Sequence, residues 1–187
     1  MNFLPHYEIK DKHALLSPSN YHWLNYDEEK LKKYSVAMKA KMLGTKKHSF
    51  VADAIDMKIK INSGDKTLDT YVSDCIDMNM NTEVGLKYDN NCFGTADAIY
   101  ADEYENKLYI FDLKTGIIKA SMKQLMIYAA LFFLEYDYDP EDWYVELRIY
   151  QNLEENDINK HIPSPEEIYV IMDKITVSSE IINTRSK

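Results

Sequence analysis

Residues 125–134 form an almost unbroken apolar run, Leu-Met-Ile-Tyr-Ala-Ala-Leu-Phe-Phe-Leu, set between two stretches that read as β-strands. Before it, 107–113 is dense in aliphatic and aromatic side chains. After it, 143–151 alternates through Val145, Leu147 and Ile149 as a strand with one buried face does. The run is far short of the roughly 20 apolar residues that cross a bilayer, so it reads as a helix, over about 121–133. A strand, a crossover helix and a second strand favour parallel pairing of the two strands, because a tight hairpin cannot join them.

The rest of the chain fills in around that unit. The spacing predicts helices over about 27–42, with acidic residues in its first turn as the helix dipole prefers, over 45–60 and over 68–78. Asn62-Ser63-Gly64-Asp65 breaks the second from the third. Strands are expected at 83–88 and 94–100, ahead of the one at 107–113. Ser164-Pro165-Glu166-Glu167 is a capping box with proline at the first helical position, opening a last helix to about 182. The expected class is α/β (α+β): a central mixed sheet of about four strands flanked by helices, in one domain covering 1–187 with its core in about 27–151.

Asp112 and Lys114 lie two residues apart on the third strand, so on extended backbone they share a face. If 94–100 and 107–113 close as a hairpin in ordinary register, Asp97 arrives beside them. Two carboxylates that close repel by up to about 4 kcal/mol at about 4 Å and an effective dielectric near 20. A proton, the lysine or a divalent cation must offset this. Oxygen ligands suit Mg2+ or Mn2+, and such a cation activates water and binds a phosphodiester oxygen. A solvated hairpin carrying a cross-strand Asp–Lys pair, contributing about 0.2–1 kcal/mol, accounts for the same spacing.

Four blocks in order go further: Gly44-Thr45-Lys46-Lys47-His48, Gly94-Thr95-Ala96-Asp97, Asp112-Leu113-Lys114-Thr115-Gly116 and Gln124-Leu125-Met126-Ile127-Tyr128-Ala129. Together they resemble the RecB-like branch of the PD-(D/E)xK nucleases, in particular phage-encoded exonuclease-like proteins, over about residues 15–134. Ser17 to Leu24 also resembles the opening of those proteins. The resemblance implies a restriction-endonuclease-like core and a Mg2+- or Mn2+-dependent exonuclease that hydrolyses double-stranded DNA ends in recombination or repair. It makes Asp97, Asp112, the carbonyl of Leu113 and His48 the metal ligands, and Lys114 the catalytic lysine. Gln124 and Tyr128 match a helical element beside the active site. Being i and i+4, they also share one helical face.

The departures matter too. With 2 Cys the chain cannot hold the four-cysteine iron–sulfur cluster of some RecB-like nucleases. It carries no phosphate-loop motif, so no nucleotide-driven motor is built in. Two unpatterned cysteines suit a reducing cytoplasm, in a bacterial host on the phage resemblance. No membrane partner is expected. A homo-oligomer and a phage single-strand annealing protein are the partners the resemblance suggests besides DNA.

A net charge of −9 argues against nucleic acid only if charge is evenly spread, and it is not. Lys30, Lys32, Lys33, Lys39, Lys41, Lys46 and Lys47 crowd the stretch before His48, whereas Glu135, Asp137, Asp139, Glu141 and Asp142 crowd the segment after the Gln124 helix. The lysines can track phosphates or simply form the wet face of a helix that buries Leu31, Tyr34, Met38 and Met42. The alternative function is a non-catalytic nuclease-fold protein: a binding or regulatory subunit, either a DNA mimic through its acidic surface or an anti-defence interaction protein.

Overall fold

The structure, a computed structural model, describes residues 1–9, 14, 16–38, 49–114 and 119–184. Its elements run α1 (Glu28–Met38), α2 (Ser49–Asp56), α3 (Lys66–Asp77), β1 (Asn81–Lys87), β2 (Phe93–Asp102), β3 (Lys107–Lys114), α4 (Lys123–Tyr136), β4 (Tyr144–Gln151), β5 (Asn159–His161) and α5 (Pro165–Asn183). Short 3-10 segments occupy Tyr7–Ile9, Pro18–Asn25 and Pro140–Asp142.

The five strands form one mixed sheet in sequential order. β1 with β2, β2 with β3 and β4 with β5 are antiparallel, and β3 with β4 is parallel, as the crossover through α4 requires. The expected count of about four strands is therefore corrected to five. β5 escapes a reading by pattern because Asn159-Lys160-His161 is short, polar and an edge strand, with no buried face to impose alternation.

α4 lies across one face of the sheet, where Leu108 and Ile110 of β3 meet Val145, Leu147 and Ile149 of β4. Ten consecutive residues of α4, from Gln124 to Phe133, are buried. No amphipathic stripe is needed, because α5 and the Pro18–Asn25 segment cover the side turned away from the sheet. On the opposite face α2 and α3 pack Val51, Ile55, Tyr71 and Val72 against Ala98, Phe111, Leu113 and Tyr150. Fully burying each such apolar side chain is worth about 1.5–3 kcal/mol.

Caps fix the ends as local chemistry dictates. Asp65 accepts from the N–H groups of Thr67 and Leu68 to start α3. The Ser164–Glu167 capping box starts α5 with both reciprocal bonds formed. The anticipated extension of the first helix to 42, and the start of the second at 45, lie outside the described residues.

Candidate functional site

β3 alternates Leu108, Ile110 and Asp112 onto the α4 face. The last of these is a carboxylate 2% exposed at the end of a run of buried apolar residues. A charge there needs a partner, and Lys114, next on the same face, supplies it. Its ammonium lies 3.0 Å from Asp112 Oδ1 and 2.9 Å from Oδ2. It also donates to Gln124 Oε1 at 3.0 Å, reaching from the strand end to the first turn of α4.

Asp97 comes from the neighbouring strand. β2 and β3 are paired from Asp102↔Lys107 to Ala98↔Phe111, and the same register sets Asp97 opposite Asp112 just beyond the last pair. There the Asp97 carboxylate accepts from the N–H of Leu113, at 3.4 Å. The side chain thus fills the gap where the two strands part. Asp97, Asp112 and Lys114 are accordingly brought together at the ends of β2 and β3, as a hairpin of ordinary register requires, with Leu113 between the last two.

Tyr128, one turn along α4 from Gln124, is 3% exposed and donates to the carbonyl of Thr95 at 2.5 Å. That bond ties α4 to the start of β2, two residues before Asp97. Burial, reinforced by the nearby Asp97 charge, pushes the phenol far above its ordinary range. It is therefore a donor and not a base at any ordinary pH. Gly94 explains why the chain can pass so close: a Cβ there would lie 2.7 Å from Pro18 Cδ and 3.1 Å from Tyr128 Cε1. The Pro18–Asn25 segment is pinned over this point by fully buried Trp23, whose indole donates to Ser17 O at 3.1 Å.

His48 and the Gly44–His48 block lie outside the described residues, as do Thr115 and Gly116. Among the described residues, no group of three or more His, Cys, Asp or Glu side chains is placed to hold a metal ion. Glu83 stands opposite Asp97 in the β1–β2 register, between Thr82↔Ala98 and Val84↔Ala96, with φ +50°. A glutamate in the left-handed region is uncommon; from the sequence it reads as an exposed residue at the start of a strand, and only the pairing sets it in the Asp97 row. Tyr71 of α3 is buried on the opposite face of the sheet, against Tyr150, where burial raises its phenol well above the ordinary value.

The charged surfaces divide differently from their sequence grouping. Lys32 pairs with Glu28 at 3.1 Å and Lys30 lies 4.7 Å from the Tyr26 ring centroid, so part of the basic stretch is engaged within its own helix region. Lys39, Lys41, Lys46 and Lys47 lie outside the described residues. Glu135 does not belong to an exposed acidic loop: its side chain is 5% exposed, bound to His6 and to the N–H of Lys87 at 2.7 Å. Asp139 caps the Pro140–Asp142 segment and accepts from Tyr169.

No family model and no curated protein matches the chain. A solved structure described as "Crystal structure of SSO0001" is similar over 80% of this chain and 83% of that one, at 12% identity and a TM-score of 0.37. A likeness at that level leaves function to be argued from the chain itself. No described helix is long and apolar enough to cross a membrane.

Proposed function

We propose that the protein is a nuclease of the PD-(D/E)xK type, RecB-like branch, acting on DNA as a Mg2+- or Mn2+-dependent phosphodiesterase, with exonucleolytic attack on double-stranded ends. The observation that carries this reading is the Lys114 ammonium held between the buried Asp112 carboxylate and Gln124 at the end of β3, with Asp97 on the Leu113 N–H. The second carboxylate adds repulsion beside Asp112 that one lysine offsets only in part, and a bound cation would relieve the rest.

The donor chemistry fits a hard cation. Mg2+ is commonly bound through one or two carboxylates while keeping several waters, and Asp97 and Asp112 supply two. Asp97, Asp112 and the Leu113 carbonyl would hold the ion, with His48 as a further ligand. When bound, it would lower the pKa of a water and draw a phosphate oxygen into place.

The chain's own residues do the rest. Lys114 has three N–H donors. Among the described residues the ammonium meets Asp112 and Gln124, and from there it would also donate to the attacking water or to a phosphate oxygen as negative charge builds. Gln124 fixes the lysine's torsions, so it is a positioning residue. Tyr128 holds Thr95 and hence the approach of Asp97. The burial of Asp112 keeps the local dielectric low, which strengthens every charge interaction in the site.

The test is digestion of end-labelled linear and closed circular DNA with Mg2+, Mn2+ or EDTA, beside Lys114→Ala. Metal-dependent loss of linear DNA only, absent in the variant, is the expected result. Cutting of circles would make the enzyme an endonuclease. Intact DNA under every condition, with folding unchanged, would favour the non-catalytic binding subunit.

A further inference from the structure

Residues paired across a sheet share a face. Lys114 pairs with Gln151, and Asp112 with Ile149, which in turn pairs with Asn159. The rows carrying the carboxylate and the lysine therefore continue over the same face into β4 and β5. There they meet a cavity of about 490 Å³ lined by Ile149, Gln151 and Asn159. Neighbouring strands are about 4.8 Å apart, so the cavity begins one strand away from the Lys114 backbone. The N–H of Ala120 donates to Gln151 Oε1 at 2.9 Å, holding that carboxamide at the seam between site and cavity.

The volume lies within the range of small-molecule pockets, about 300–1,000 Å³, and admits a nucleobase with its sugar. The lining chemistry narrows the occupant. Asn152 and Asn156 join Gln151 and Asn159 to give four carboxamides, while Lys119 is outweighed by Glu155 and Asp157. One cation against two carboxylates is a poor seat for a phosphate. It suits a neutral planar group that both donates and accepts, and carboxamides and carboxylates are the side chains that match base edges. The wall is built in advance: Asn152 Nδ2 donates to Glu155 Oε2 at 2.9 Å, and Asn156 Nδ2 to Asn152 O at 3.2 Å.

We propose that this cavity takes the unstacked base of the nucleotide flanking the scissile phosphate and selects bases that carry an exocyclic amine, among them cytosine and adenine, over thymine. Carboxylates accept from an exocyclic amine, and thymine has none. Taking a base out of the stack is how enzymes read single nucleotides by hydrogen bonding. The inference rests on the nuclease reading, since it places the base relative to the same catalytic row.

The test is direct binding of labelled dC, dA and dT tetranucleotides to the full chain carrying Lys114→Ala, which removes cleavage, with and without Glu155→Leu or Asp157→Leu, each of which removes an accepting carboxylate from the cavity. The expected result is about tenfold tighter binding of the dC and dA oligonucleotides than of dT, the scale of one good base contact. Either cavity variant should level the three without changing the melting temperature. Equal affinities, absence of binding, or a preference that survives both variants would overturn the proposal. Cleavage by the unmodified protein separates the two failures. Lys114-dependent cutting without base preference would remove the pocket and keep the nuclease. Base-dependent binding without cutting would do the reverse.

Discussion

Lys114 Nζ donates to Gln124 Oε1 at 3.0 Å, joining the last residue of β3 to the first turn of α4 while the same ammonium neutralises Asp112. Strand end, helix start and buried carboxylate are thus one unit, and substitutions within it should separate stability from chemistry.

Lys114→Met leaves Asp112 buried without its cation. The expected cost is about 1–3 kcal/mol in chemical denaturation, the scale of losing a charged hydrogen-bond partner. The same variant should lose cleavage. Manganese should stabilise the unmodified protein by about 2.7 kcal/mol at 100 times its Kd, and Asp112→Ala should abolish that gain. A melting temperature indifferent to manganese in the unmodified protein would argue against the metal site.

Gln124→Leu should lower kcat by about tenfold to a hundredfold with little change in KM, the size of effect seen when a supporting partner is removed. Gln124→Glu, which keeps an acceptor for Lys114, should recover part of the rate. Tyr128→Phe should act differently. It loses the 2.5 Å bond to Thr95 O and about 1 kcal/mol of stability. Because its phenol stays protonated, the shape of the pH–rate profile should not change. A limb of that profile vanishing in Tyr128→Phe would show the phenol titrating after all.

Gly94→Ala places a methyl 2.7 Å from Pro18 Cδ and 2.9 Å from Cγ. Overpacking of this kind costs about 1–3 kcal/mol. The strain falls on the Pro18–Asn25 segment and on Tyr128, so cleavage should fall as well. Pairing it with Pro18→Ala, which removes the clashing ring atoms, should restore much of the stability measured by thermal melting.

Asp89 gives a pH prediction with a definite sign. Burial raises its pKa, but hydrogen bonds from Ser179, from the N–H of Asn91, from Asn183 and from the N–H of Cys92 outweigh that and leave it below the ordinary 3.8. A depressed carboxylate stabilises the fold above its unfolded pKa, and that contribution is lost as pH falls through the folded value. Asp89→Asn should therefore cost about 1–3 kcal/mol at pH 7, with the gap to the unmodified protein closing only below about pH 4. A difference constant from pH 7 to pH 3 would contradict this.

Much of the arrangement was legible because it depends on short-range pattern. The alternation in β3 and β4 announced two strands, the apolar run between them announced α4, and the capping box placed the start of α5 to the residue. Asp112 and Lys114 could be put on one face from a separation of two. Asp97 needed only a hairpin of ordinary register. β5 was illegible because three polar edge residues bury nothing and so carry no periodicity. Glu135 read as part of an acidic surface because its partners, His6 and Lys87, lie 129 and 48 positions away.

By itself the sequence determined which segments pair with helix or strand geometry, because backbone periodicity and capping act over a few residues. It also determined that two carboxylates and a lysine would meet at one end of a hairpin. Tertiary structure alone decided what surrounds them: Gln124 on the lysine, Tyr128 on Thr95, Glu83 opposite Asp97, and the carboxamide-lined cavity at the end of β4. Those contacts follow from how strands line up and how a buried helix crosses them, and that is settled by packing the whole core at once rather than by any local preference.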